Sequence, residues 1–400
     1  MDRPEKPQST PSAELAEVTA RQRPPEHVWL RAILAVAALL AFVAALKIMG
    51  HGLKTIATVP ESEAFLTSLF DYVCHPVAGL AVGVLMTSLV QSSSFTTSFT
   101  VGLVAAGQIS LIHAVPIVMG ANIGTSVTNT IASLAYVRRP LNFRRSLSAA
   151  TVHDFFNLCA VTLLMPFEVA FGAISRPAQA VANAISHWGY FAHDPKKFNL
   201  VKMIVKPINE ALDWLLMGVL GLSPTVAGAV QAAVAVAILF AALLLLVNLL
   251  QGLVKNRLSG LFERTFFRNQ GVGLLVGVLL TVCVQSSSVT TSLMVPLVGA
   301  GILRLRQVYP YTLGANIGTT MTAMIAALAT ANAAAVGCAV AHLLFNLMGT
   351  AVFWPLQWIP ISLAKGYAKL ATRRRLIALA YILVLFFALP IIALIAVGTM

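Results

Sequence analysis

The sequence predicts an all-α polytopic membrane protein made of two inverted-topology repeats, each interrupted by a re-entrant helical hairpin. Three observations carry that reading. The 400 residues are 58% hydrophobic and only 10% charged, with a mean hydropathy of +0.84, more apolar than a soluble globular chain. The run Gln91-Ser92-Ser93-Ser94 recurs as Gln285-Ser286-Ser287-Ser288, and residues 83–107 match 277–301 at 17 of 25 positions without a gap. Corresponding loops of the two copies carry opposite charge patterns, which inverts one copy relative to the other.

Residues 1–28 are polar and proline-bearing, without the apolar centre of a cleavable signal, and read as a cytoplasmic tail before a first span that also targets the chain. Apolar runs able to cross about 30 Å of hydrocarbon lie near 29–50, 111–137, 146–175, 225–252, 308–330, 337–360 and 376–398. Lipid offers the backbone no water, so these runs must be helices. Repeat 1 covers 29–175 with its hairpin at 76–107, and repeat 2 covers 225–360 with its hairpin at 270–303. Between them, 176–224 is an external linker with Pro177, Pro195, Pro207 and Lys196, Lys197, Lys202, Lys206, and with Trp188, Tyr190 and Trp214 suited to an interfacial helix. Residues 361–400 supply a basic loop and a final span outside the repeats.

The orientation follows from three loop comparisons. Glu61, Glu63 and Asp71 precede the first Ser-rich hairpin, whereas Lys255, Arg257, Arg264 and Arg268 precede the second. After the hairpin, 108–114 carries no fixed charge, whereas the second copy supplies Arg304 and Arg306. The pattern then reverses: Arg138, Arg139, Arg144 and Arg145 stand against an uncharged 330–336. Lys and Arg mark cytoplasmic loops, so both loops flanking each Ser-rich segment lie on one side. About 30 residues is short for two full spans of ~20 each; each segment therefore enters and returns, and the two tips meet near the midplane, as in secondary transporters with inverted repeats.

Hydroxyls that cap half-helices, with exposed N–H groups and about half a positive charge at each helix start, make an anion site without Lys or Arg in hydrocarbon. Gln91, Ser92, Ser93, Ser94, Gln285, Ser286, Ser287 and Ser288 are the candidate anion ligands. The same offset of 194 carries Gly120-Ala121-Asn122-Ile123-Gly124-Thr125 onto Gly314-Ala315-Asn316-Ile317-Gly318-Thr319. Asn122, Thr125, Asn316, Thr319 and Thr322 are hard oxygen donors suited to Na⁺ and not to a transition metal. Asp154, with Asn157 of the same His153-Asp154-Phe155-Phe156-Asn157 run, is a candidate ligand for a further cation, because an ionisable residue at membrane depth is functional by default. A boundary ion pair to Arg144 or Arg145 is its structural alternative. His153 and His342 read as helix-packing histidines, and Glu168 as facing the interface. Cys74, Cys159, Cys283 and Cys338 have no zinc or disulfide spacing. The net charge of +13 is dispersed in loops, which argues against nucleic acid, and no base is placed near a nucleophile, which argues against an enzyme. A channel would show polarity along a whole span; here it is concentrated at two tips.

The paired Gln-Ser-Ser-Ser hairpins, the paired Asn-Ile-Gly-Thr helices and Thr151-Val152-His153-Asp154-Phe155-Phe156-Asn157 resemble the type II sodium-dependent phosphate cotransporters over roughly 75–170 and 265–350. The resemblance implies a multi-pass cell-membrane protein, in a homodimer, that carries inorganic phosphate inward with Na⁺ by alternating access and uses no organic cofactor. It places phosphate at the serines of both hairpins and one sodium at Gln285, Ser286, Thr319 and Thr322. It also ties Asp154, with small residues at Ala150 and Ser148, to an extra sodium, hence three Na⁺ per divalent phosphate and net charge movement. Ser148 departs from the Ala of that pattern. No acidic residue precedes Phe143-Arg144-Arg145, and the linker 176–224 has no cysteine for the disulfide of animal members. The short tail and overall length are those of a bacterial-style member. Efflux of phosphate, carriage of another oxyanion and an anion channel are the alternatives.

Overall fold

The computed structural model describes residues 28–188, 200–254 and 269–399. Every regular element among them is a helix. The polar tail through His27, linker residues Tyr190, Pro195, Lys196 and Lys197, and the basic residues Lys255, Arg257, Arg264 and Arg268 lie outside the described residues.

Repeat 1 opens with α1 (Val28–Ile56), followed by α2 (Pro60–Cys74) and α3 (Pro76–Val90). The last two meet at 93°, because His75 is extended and Pro76 can start a helix but cannot continue one. Helix α4 (Ser93–Ala105) turns back, and α5 (Leu111–Ile123) runs through a single 3₁₀ turn, Gly124–Ser126, into α6 (Val127–Leu134). Helix α7 spans Pro140–Phe171. The apolar run 146–175 is thus displaced: Pro140 presets the first helical turn, and Gly172, at φ 61°, ends it in the left-handed region.

The linker holds α8 (Ser175–Ser186) and α9 (Leu200–Asp213), the latter passing into a π-helical turn at Trp214–Val219. Repeat 2 comprises α10 (Pro224–Val254), α11 (Gln270–Val284), α12 (Ser287–Ser292), α13 (Met294–Gly299), α14 (Leu305–Ala329) and α15 (Ala333–Phe353). The 337–360 run is divided: Asn332 caps α15 through the Ala335 N–H at 3.1 Å, and α15 stops at Phe353, ahead of the amphipathic α16 (Trp358–Arg373). The last span is α17 (Leu376–Leu383), a π-helical turn (Val384–Ala388) and α18 (Leu389–Gly398).

Seven helical segments among the described residues are long and apolar enough to cross a membrane: 29–56, 111–134, 140–171, 224–245, 305–329, 333–353 and 376–398. They are the seven the sequence marks. The chain is a polytopic helical membrane protein.

The duplication is built into the packing. Backbone approaches that only glycine allows hold α3 against α5 and α11 against α14: a Cβ on Gly83 would strike the Ile117 carbonyl and one on Gly277 the Tyr311 carbonyl, while Gly120 and Gly314 meet the Leu80 and Leu274 carbonyls in return. One apolar core gathers Phe156, Tyr309, Phe345 and Phe353 around α7, α14 and α15; another gathers Phe42, Leu46, Phe95 and Leu239 around α1, α4 and α10. The final span packs on α3, and the Tyr72 hydroxyl of α2 donates to its Leu394 carbonyl.

Candidate functional site

Each Gln-Ser-Ser-Ser run folds into the same turn between two helices. Gln91 and Gln285 adopt left-handed backbone conformations, φ 58° and 55°, which for a non-glycine residue cost about 1–2 kcal/mol. Their side chains hold the turn in return. The Gln285 amide donates to the Val282 carbonyl at 2.5 Å and accepts from the Thr322 hydroxyl at 2.7 Å. Gln91 donates to the Ser88 carbonyl and accepts from Thr128 at 2.8 Å. Ser92 then caps α4 through the Phe95 N–H at 3.2 Å, and Ser286 caps α12 through Val289 at 3.3 Å. Within each hairpin a threonine pair ties the arms: Thr87 to Thr96 at 2.8 Å and Thr281 to Thr290 at 2.9 Å.

Both turns line one cavity of about 310 Å³. Its wall contains all eight sequence-predicted anion ligands, Gln91 to Ser94 and Gln285 to Ser288, together with the apolar Val90, Phe240, Leu243, Leu244 and Val289. Among the described residues, no Lys, Arg or acidic side chain is part of that wall. One side of the space presents the hydroxyls, amides and helix starts of the two turns, donors that favour an oxyanion, and the other is apolar.

A second polar layer crosses between the copies. His153 Nε2 donates to Asn316 Oδ1, and His342 Nε2 reaches Asn122 Oδ1 at 3.3 Å. Asn316 Nδ2 donates to Asn157 Oδ1 at 2.9 Å, and Asn157 Nδ2 donates to the Asn122 carbonyl at 2.9 Å. Each histidine thus pairs with the asparagine of the other copy. All five side chains are buried, so these bonds are strong constraints on how the two halves sit together. Each histidine has an asparagine partner, and the Nδ1 of His342 is buried without one.

The cation candidates separate into groups. Asn122, Asn157 and Asn316 share the inter-copy network; Gln285, Ser286 and Thr322 meet at the second turn. The hydroxyls of Thr125 and Thr319 donate to the Ala121 and Ala315 carbonyls one turn back, at 3.1 and 2.9 Å. Asp154 points elsewhere: fully buried, it accepts from the Tyr381 hydroxyl at 3.0 Å. Among the described residues it has no ion pair with Arg144 or Arg145; the ring of His153 lies nearby, with Nδ1 at 3.9 Å.

Three features lay beyond the sequence reading. Asn129 Nδ2 donates to Thr291 Oγ1 at 2.8 Å between α6 and α12, with Ala323 and Thr97 at the corresponding positions, so the copies are not equivalent there. Pro296 replaces Gly102 and coincides with the break between α12 and α13. Glu168 is buried and not interfacial, accepting the Ile174 and Ser175 N–H groups at 2.6 and 3.1 Å.

The fold and site together define a helical membrane protein whose duplicated, serine-capped turns line one cavity, with no basic side chain on its wall among the described residues. The Na⁺/Pi-cotransporter family matches residues 41–190 and 238–393, and this chain belongs to that family. It is similar to sodium-dependent phosphate transport protein 2B of Homo sapiens, 28% identical across 90% of this chain and 64% of the relative. It is also similar to sodium-dependent phosphate transport protein 2A of Rattus norvegicus (30%, 96% and 69%) and of Oryctolagus cuniculus (32%, 90% and 66%). The chain thus spans about two thirds of the length of these curated relatives. No solved structure matches it.

Proposed function

We propose that this chain is a Na⁺-coupled symporter that carries inorganic phosphate, as HPO₄²⁻, into the cell across the cell membrane. The observation that supports it most is the cavity shared by both Gln-Ser-Ser-Ser turns, with no basic side chain on its wall among the described residues. A site of N–H groups and hydroxyls holds an oxyanion, but offsets little of its charge in a low-dielectric interior. Cations that travel with the anion offset the rest, and that links the two fluxes.

In this reading Gln91–Ser94 and Gln285–Ser288 hold phosphate. Sodium is held by oxygens of Asn122, Thr125, Asp154, Asn157, Gln285, Ser286, Asn316, Thr319 and Thr322, with three Na⁺ per phosphate and one net charge moved inward. The repeats are inverted, the two hairpins re-entrant, and the inter-copy His–Asn pairs are the contacts that alternating access must preserve or exchange. The chain works as a homodimer.

The test is radiolabelled phosphate uptake into proteoliposomes holding the purified protein, with an inward Na⁺ gradient and the potential set to zero or inside-negative. Uptake that needs Na⁺ and rises with negative potential is the expected result; one charge gains about 2.3 kcal/mol per 100 mV. Na⁺-dependent uptake indifferent to potential removes the third sodium. No uptake overturns inward symport and leaves efflux, another oxyanion or a channel.

A further inference from the structure

Helix α1 carries no charge between Arg31 and Lys47, and then places Lys47, His51 and Lys54 on one face at spacings of four and three. Those three side chains line a cavity of about 540 Å³ between α1, α9 and the ends of α4 and α14. The acidic groups on its wall are already engaged. Asp213 pairs with His51 at 2.8 Å and accepts from the Gln231 amide at 2.6 Å, and Glu210 pairs with Lys206 at 3.5 Å. Lys47 and Lys54 are exposed on that wall, and among the described residues neither has an ion pair. Asn209, also on the wall, keeps a buried Oδ1 without a donor.

A second cavity, of about 320 Å³, lies against the preceding turns of α1 and shares Val205 with the first. Its wall is apolar, with Leu40, Ala41, Ala44 and Ile48 of α1, Ile208 of α9 and Ile238 of α10. From Leu40 to Lys54 is about 21 Å along the helix at 1.5 Å per residue, so an apolar space and a basic one follow each other on one side of α1. That is the profile of a phospholipid; an inorganic ion has no use for the apolar half. Snorkelling explains a lysine that reaches the surface alone, but not two lysines without counter-charge around one cavity that continues into an apolar one. A zwitterionic headgroup brings no net charge to offset them. An anionic glycerol headgroup does, and its hydroxyls can donate to Asn209.

We propose that this pair of cavities binds an anionic phospholipid of the phosphatidylglycerol type, with its phosphate at Lys47 and Lys54, a glycerol hydroxyl at Asn209 Oδ1, and one acyl chain along Ala41, Ala44 and Ile208. The site is distinct from that of the transported anion, since the two cavities share no residue with the one at the serine turns. Gly102 and Ala105 of α4 belong to the basic wall, so the bound lipid braces the returning arm of the first serine turn against α1.

The experiment binds tritiated phosphatidylglycerol to the delipidated full-length protein in detergent and displaces it with unlabelled phosphatidylglycerol, phosphatidylcholine or inorganic phosphate. Phosphatidylglycerol should displace it at about ten- to thirty-fold lower concentration than phosphatidylcholine, the preference that two lysines give. Lys47→Gln combined with Lys54→Gln should abolish that preference. Ile208→Gln combined with Ile238→Gln, which sets amides in the path of the acyl chain, should weaken the binding of both lipids. All four side chains are exposed, and an unchanged unfolding temperature checks that each variant folds. If the isoleucine variant does not fold, the lysine variant and the phosphate competition decide. Equal potency of the two lipids, or an unchanged preference in the lysine variant, makes the occupant ordinary boundary lipid and overturns the proposal. Displacement by millimolar inorganic phosphate overturns it as well, in favour of a site for the free anion.

Discussion

Gln285→Ala is the sharpest test of how the second turn is held. The substitution keeps the left-handed backbone cost of about 1–2 kcal/mol, because alanine also has a Cβ. It deletes the bonds to the Val282 carbonyl and from the Thr322 hydroxyl, each with a net worth of about 1 kcal/mol. Gln285 and Thr322 are both buried, so the stranded Thr322 hydroxyl adds about 1–3 kcal/mol of desolvation. The sum is a loss of about 3–5 kcal/mol. Gln285→Gly should recover about 1–2 kcal/mol of that through relaxed backbone. Gln285→Ala combined with Thr322→Val should be milder than the separate effects added, with a coupling of about 1–2 kcal/mol, because no hydroxyl is left stranded. The assay is equilibrium unfolding in mixed micelles. The corresponding Gln91→Ala should cost less, since Gln91 and Thr128 are exposed. Strictly additive losses at Gln285 and Thr322, or equal stability of the Ala and Gly variants, would refute the clamp.

Ser94→Ala or Ser288→Ala should abolish phosphate uptake while surface expression and unfolding temperature stay near wild type; loss of expression alone would point to a packing role. Gly277→Ala places a methyl against the Tyr311 carbonyl, where backbone and not a flexible side chain must move. It should lower stability by about 1–3 kcal/mol or more, read as a lower unfolding temperature, and wild-type behaviour would show that α11 and α14 can separate freely. Glu168→Ala strands the N–H groups of Ile174 and Ser175 and should cost about 2–4 kcal/mol, while Glu168→Gln, which keeps an acceptor, should recover most of it in the same unfolding assay.

Local pattern made much of this legible. Apolar runs specify spans because the hydrocarbon thickness and the helical rise fix their length, and the seven marked in the sequence are the seven found. The boundaries were less legible: Pro140 and Gly172 move α7 by several residues, because a proline can be helical only near the start and a left-handed glycine ends a helix. Repetition alone singled out the Ser-rich turns, and the structure sets both of them on one cavity. Their glutamines read as further ligands, and their service as left-handed caps was hidden, since Thr128 and Thr322 lie 37 residues away and no local pattern names a tertiary donor.

By itself the sequence determined that this is a membrane chain, that it is duplicated, and which hydroxyls and amides are too costly in lipid to be incidental. Those follow from composition and spacing, which are properties of the chain as written. The tertiary structure decided the pairings: both serine turns on one cavity, His153 with Asn316 and His342 with Asn122 across the copies, and Asp154 with Tyr381 across a separation of 227 residues. Such choices depend on which helices come within about 3 Å of one another, the reach of a hydrogen bond, and only the packed fold sets that distance.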